Sequence, residues 1–176
     1  MSSPTPRRDD VRVSFTLRAP VPDDAGALVD LHVATWREAY AHLLPEGFFT
    51  PEYIAGRRRM WDLVLAHPGD DARIRLAEAG DELIGFGWAG TAIAVAGKEP
   101  TRQLQLFALY VRAAHYGTGV GQALLDDVVG PGPALLWVAA QNPRAIAFYR
   151  RNGFAFDGVE VVDPGAPWIT DARMVR

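Results

Sequence analysis

The sequence predicts an α/β fold: a mixed central β-sheet with helices on both faces. Three observations predict it. Short runs rich in β-branched and aromatic residues alternate with segments of helical periodicity along the chain. An apolar run at residues 104–111 leads through Gly117, Gly119 and Gly121 into a stretch where Val120, Leu124 and Val128 recur at helical spacing. A buried-strand pattern at 135–139 leads through Asn142 and Pro143 into a second, shorter helix. Strands that alternate with helices in this way stack helices on a sheet.

Each element has its own warrant. Residues 11–17 alternate as a first strand. Asp23 or Asp24 is placed to cap the next helix, with Leu28, Leu31, Thr35 and Ala39 as its inward stripe. Pro45 and Gly47 break that helix, and Pro51 opens another to about residue 66. A turn at 67–71 follows. Residues 72–77 and 83–89 read as neighbouring strands joined through Gly80 and Asp81, a good hairpin pair. The fourth strand and glycine turn come next, then a helix through Val129 that Gly130, Pro131, Gly132 and Pro133 halt. Asn142 suits an N-cap, Pro143 the first helical turn and Gly153 the stop. Residues 154–162 and 168–175 close the chain as an antiparallel pair. The predicted order is β-α-α-β-β-β-α-β-α-β-β.

Composition narrows the function classes. The chain has 176 residues, 49% hydrophobic content and five tryptophans, which argues for a folded domain with a sizeable core. The reading is one domain over residues 11–176 behind a flexible tail over 1–10, which has no apolar stretch of the kind a signal peptide needs. A formal charge of −3 offers no basic excess for a nucleic-acid partner. No run is long and apolar enough for a membrane span, so a cytoplasmic location is the default. Cysteine is absent, which removes a thiol nucleophile. The four histidines, His32, His42, His67 and His115, have no ligand spacing, and no metal is expected. The Arg57, Arg58, Arg59 run reads as the solvated side of a helix.

The glycine turn carries the chemistry. Where a strand turns into a helix, the first helical amides have no partner and the positive end of the helix dipole lies behind them. Glycine lets a ligand approach that backbone closely, so the turn is a cradle for phosphate or pyrophosphate. Two familiar phosphate loops fail on residues. A dinucleotide fingerprint from Gly117 and Gly119 needs glycine where Gln122 stands, and an acid some twenty residues on, where Ala134 to Val138 has none. A Walker loop needs lysine and a hydroxyl after its last glycine, where Gln122 and Ala123 stand. Tyr149 shares a helix face with Ile146. Taken alone it is a core aromatic with a hydroxyl at the rim.

Together the two segments resemble the GCN5-related N-acetyltransferase (GNAT) superfamily. Its glycine signature after the fourth strand is matched by Tyr116-Gly117-Thr118-Gly119-Val120-Gly121. Its second signature is similar to Asn142-x-x-Ala145-x-x-Phe148-Tyr149-x-x-x-Gly153-Phe154. Looser similarity runs over residues 13–176. The resemblance implies the acyl-CoA N-acyltransferase fold and an N-acetyltransferase that uses acetyl-coenzyme A. It implies that the backbone at Leu109, Tyr110 and Val111 holds the pantetheine. Tyr116, Gly117, Thr118, Gly119, Val120, Gly121 and Gln122 then receive the pyrophosphate, and Asn142 reaches the pantetheine arm. Tyr149 is the implied general acid.

Two residues depart from the pattern. Tyr116 stands where the family usually has Gln or Arg, and Gln105 near the place where many relatives carry a glutamate base. Candidate bases are therefore Glu38, His32, Tyr110 and His115, with Glu38 preferred for its place at the end of the first helix, and backbone carbonyls with water as the alternative to a side chain. Residues 40–49 resemble the acceptor-site segment of relatives, with Tyr40, Phe48 and Phe49 as an aromatic wall, and Glu38 or Glu46 to attract an ammonium. Trp168 shapes the same region or a dimer contact. The expected acceptor is a small-molecule amine or a peptide amino terminus, with a homodimer possible. Two other readings stand beside this one: a non-catalytic acyl-coenzyme A-binding or protein-interaction module, and an O-acetyltransferase.

Overall fold

The computed structural model describes residues 14–176. The expected tail and residues 11–13 of the expected first strand lie outside the described residues. Seven strands form one sheet in the order β1-β2-β3-β4-β5-β7-β6. They are β1 (Thr16–Arg18), β2 (Arg73–Ala79), β3 (Glu82–Thr91), β4 (Leu104–Val111), β5 (Leu135–Ala139), β6 (Ala155–Val162) and β7 (Thr170–Val175). The helices are α1 (Ala25–Tyr40), α2 (Pro51–Ala66), α3 (Val120–Val128) and α4 (Pro143–Arg151). Apart from two single-turn 3-10 segments, this is the predicted order. β4 and β5 are the parallel pair; every other pairing is antiparallel.

The layers follow from which residues each element buries. Leu28, Val29 and Leu31 of α1 meet Trp61 of α2 over Leu76 and Phe86 on one face of the sheet. On the other face Leu125 and Val128 of α3 and Tyr149 of α4 pack with Leu106, Val138 and Met174. Trp61 and Phe86 are fully buried, and each such side chain contributes about 1.5–3 kcal/mol of apolar burial.

One cap differs from expectation. Asp24 occupies the N-cap position of α1, but its side chain does not cap. Its carboxylate accepts from the Val21 amide and pairs with Arg18, which also reaches Glu78 on β2. A guanidinium pairs with the carboxylate better than a helix amide does, so Asp24 ties β1 to α1. Thr50 caps α2 through the Tyr53 amide at 3.1 Å, and Asn142 caps α4 through the Ala145 amide at 3.0 Å.

Two irregularities shape the middle of the sheet. Trp88 pairs with Ala108 and Ala89 with Leu106, so Phe107 is an extra residue on β4. Bulges of this kind reverse the facing of side chains. Leu106 therefore joins the α3/α4 layer while Ala108 and Tyr110 join the α1/α2 layer. β5 pairs with β4 only at Gln105↔Leu135 and Leu106↔Leu136. Beyond those two rungs the strands part.

Candidate active site

A cleft of about 1090 Å³ opens where β4 and β5 part. Its walls take Leu109, Tyr110 and Val111 from β4, Trp137 to Ala139 from β5, and residues of α1, α2 and α4. The glycine loop and the start of α3 close one end, with Tyr116, Gly117, Gly119, Gly121 and Gln122 in the lining.

The loop has the geometry that a close-approaching anion needs. Gly117 and Gly119 have φ of +78° and +93°, and no atom lies within 4 Å of where a Cβ would stand. Gly119 is the N-cap residue of α3, so the amides that follow are free of helix partners. Thr118 donates its hydroxyl to the His115 carbonyl at 2.7 Å, which folds the loop on itself. Gln122 donates to Asp126 and to Asn152 at the end of α4, both at 2.8 Å, and locks the two helices together. Val120 is fully buried, so it offers the ligand its backbone alone. Arg144, at the start of α4, lays its guanidinium 3.7 Å from the centre of the Tyr116 ring. A cation thus stands beside the loop although the loop's own sequence lacks one. A phosphate-bearing, elongated ligand suits this loop and the parted strands beside it.

Tyrosine hydroxyls gather in the cleft. Tyr149 is buried on α4, and burial, then the neighbouring Tyr40, push its hydroxyl well above the usual phenol range. Tyr40 accepts a hydrogen bond from Asn142 Nδ2 at 3.3 Å. Asn142 therefore caps α4 with its oxygen and holds Tyr40 with its nitrogen. Tyr110 accepts from Trp36 Nε1 at 3.0 Å, and burial holds its hydroxyl protonated.

The base candidates fare differently. Glu38 lines the cleft, with one oxygen taken by Arg112 Nε at 2.9 Å and the other by the Ala113 amide at 2.8 Å. His32 is buried and accepts from Trp61 Nε1 at 3.3 Å. Burial, and then the charge of Arg57, lower its pKa to about 3, so it is a neutral core residue at ordinary pH. Tyr110 is shifted away from the value a base needs, because burial disfavours the phenolate. His115 stands before the loop with a buried Nδ1 that has no partner among the described residues. Gln105 is buried, accepts from the Ile93 amide at 3.2 Å and is not in the cleft lining.

The acceptor end is partly as expected. Tyr40 lines the cleft, whereas Phe48 and Phe49 stand behind it: Phe48 stacks on Trp36 and meets Trp168 edge-on. Glu46 lies in a separate surface groove with Phe48 and Phe49, away from the cleft. Arg57 departs from the solvated reading. Arg58 and Arg59 are exposed, but Arg57 turns into the cleft, lies over Trp36 and Tyr53 and donates to the Tyr53 hydroxyl at 3.2 Å. Sequence reasoning also missed Asp171 on β7, which lines the cleft beside Tyr40. Burial and the nearby Asp163 raise the Asp171 pKa to about 6. No motif marks it, because long-range pairing puts it there: Asp171 lies opposite Ala139 of β5 and Val161 of β6.

Residues 70–155, which hold the β2–β5 sheet, the glycine loop and α4, match the model of the acetyltransferase (GNAT) domain family. Just under half of the chain is thus similar to the acetyltransferase (GNAT) domain. A Mycobacterium tuberculosis protein named Probable N-acetyltransferase is 28% identical over 152 residues, covering 82% of each chain. The mycothiol acetyltransferase of Streptomyces coelicolor is 34% identical over 158 residues, 86% of this chain but 45% of that protein. The chain thus spans less than half of that longer relative. The fold matches PaiA N-acetyltransferase from Thermoplasma acidophilum, solved in complex with coenzyme A. The TM-score is 0.64 at 22% identity, covering 93% of this chain and 98% of the other. By these likenesses together, the chain is an acetyltransferase whose acetyl donor is acetyl-coenzyme A. Among the described residues, no helix is long and apolar enough to cross a membrane.

Proposed function

We propose that this GNAT enzyme moves the acetyl group of acetyl-coenzyme A onto a primary amine by direct attack, with Tyr149 as the general acid. The observation that carries the reading is Tyr149 itself, a buried, protonated hydroxyl in the cleft where β4 and β5 part. The amides from Gly117 to Gln122 receive the pyrophosphate of the donor, and Arg144 supplies positive charge beside Tyr116. The unpaired edge of β4 at Leu109 to Val111 hydrogen-bonds the pantetheine, with Asn142 on the facing wall.

An alkyl ammonium has a pKa near 10.4, so about one part in a thousand is neutral near pH 7.4. Recovering the neutral form costs about 4 kcal/mol, which is why a proton acceptor in the cleft matters. The thioester's leaving thiolate needs less help, since thiols have pKa values near 8.5, and Tyr149 meets that need as a donor. Glu38 has both oxygens occupied, and its part in this reading is to hold Arg112 and Ala113, and so the approach to the glycine loop.

The reading is tested by thermal shift with acetyl-coenzyme A against adenosine nucleotides, followed by an amine panel with thiol-release detection. Stabilisation specific to the acetylated coenzyme and amine-dependent thiol release are expected. No stabilisation and no heat of binding would overturn the reading. Mass spectrometry of the product distinguishes an amide from an ester.

A further inference from the structure

Resting on the acetyltransferase reading above, we propose that Asp171 is the general base that takes the proton from the acceptor's ammonium group. The placement is the first ground. Asp171 lies on β7 opposite Ala139, at the end of β5 where the cleft is open, and it lines the same cleft as Tyr149. Its carboxylate acts electrostatically on the Tyr40 hydroxyl, and Tyr40 in turn acts on Tyr149. Base and acid therefore line one cleft and share Tyr40 as a neighbour.

The second ground is that the carboxylate is uncommitted. Among the described residues no donor or cation holds it. Arg173, two residues along the strand, is committed to Asp157 at 2.7 Å and to the Glu99 carbonyl at 2.8 Å. Arg57 is held over Trp36 and Tyr53. Glu38, by contrast, is fully engaged. A carboxylate kept in a half-buried cleft without a partner is costly unless a ligand uses it.

The groups around Asp171 define its charge. Asp163 acts on it from the loop between β6 and β7 and Tyr40 from α1, with Asn142 at the start of α4 bonded to that tyrosine. Tyr53 and Arg57 of α2 are electrostatic neighbours of Asp163 and of Tyr53 respectively, and the β5 partner is Ala139, which carries no charge. The loss of water, and then the like charge of Asp163, raise Asp171 from the ordinary carboxylate value to about 6. A carboxylate so raised is roughly a hundredfold better matched to an ammonium proton, yet stays ionised at neutral pH.

The step balances. Asp171 takes one proton from R–NH3+, and the freed nitrogen lone pair forms the C–N bond at the thioester carbonyl. The C–S bond then breaks, Tyr149 gives its proton to the departing thiolate, and the second amine proton returns through the cleft to Tyr149. The Asp171 proton leaves to solvent with the product.

The test uses acetyl-coenzyme A with the best acceptor from a panel of arylalkylamines and polyamines. The expected wild-type kcat/KM has an acid limb near pH 6, since Asp171 must be ionised. Asp171→Asn is expected to lose about 10²- to 10⁴-fold in kcat and to lose that limb, with donor affinity unchanged. Asp163→Asn, which removes only the like charge, should move the limb below pH 6. Stability gives an independent check on folding. A carboxylate whose folded pKa is raised stabilises the fold only while protonated, and that contribution is lost as pH rises from about 4 through 6. Asp171→Asn should therefore melt higher than wild type at pH 8, by about 3–6 °C, with the gap closing towards pH 4. An unshifted acid limb and kcat within twofold of wild type in a folded Asp171→Asn would overturn the assignment while leaving the acetyltransferase reading intact. Donor binding without turnover of any panel amine would overturn it too. Failure of the wild type to bind acetyl-coenzyme A at all would overturn the parent reading instead.

Discussion

Tyr149 and Glu38 both line the cleft, and the proposed mechanism gives them different work. Tyr149→Phe removes the hydroxyl and keeps the aromatic packing against Phe148 and Phe154. A fall in kcat of roughly tenfold to a thousandfold is expected, with the acetyl-coenzyme A Kd unchanged. Steady-state kinetics where chemistry limits the rate will check it; an unchanged kcat leaves Tyr149 as a packing residue. Glu38→Gln should instead raise the donor KM about three- to tenfold, with kcat within twofold, because it loosens Arg112 and Ala113 ahead of the loop. A fall in kcat alone would return Glu38 to the role of base. At this scale the sequence was legible where spacing is local. Asn142 and Tyr149 lie on one short helix, and their separation is written in the chain. Asp171 was not legible, because its neighbours Ala139 and Val161 are met only through sheet pairing. Arg57 was misread for a simpler reason. Three successive helical residues spread over about 200° of the helix, so a run of three arginines cannot all share one solvated side.

Among the elements, local periodicity located every strand and helix of the described residues, usually to within two residues. The places it could not see are the bulges. An extra residue at Phe107 reverses the alternation of β4, and the shift between Ala77 and Glu78 leaves Ile84 as an extra residue that does the same in β3. Neither insertion leaves a mark in the pattern of residue types, since both faces of these strands are apolar. Two glycines separate fold from function here. A Cβ on Gly85 would stand 2.8 Å from the Tyr110 carbonyl oxygen, so Gly85→Ala must push β3 from β4. That costs about 1–3 kcal/mol and should lower Tm by roughly 3–10 °C. Gly119→Ala meets no atom but forces alanine to φ +93°, at about 1–2 kcal/mol. Its effect should fall on donor affinity, measured by calorimetry, more than on melting. Equal effects of the two variants on both readouts would contradict this division.

For the whole molecule, ligand linkage gives the simplest expectation. Acetyl-coenzyme A at a hundred times its Kd should add about 2.7 kcal/mol to the folded state. For a chain of this size that is a Tm rise of roughly 5–11 °C, measurable by scanning calorimetry. The meeting of β4 and β5 through only two rungs has a mechanical meaning as well. The sheet is two plates, β1 to β4 and β5 to β7, joined along a short seam. A donor whose pantetheine bonds the free edge of β4 fills the gap as a strand would. On the proposed reading the substrate is a structural member of the sheet for one turnover, and the enzyme completes its own architecture only while it is working.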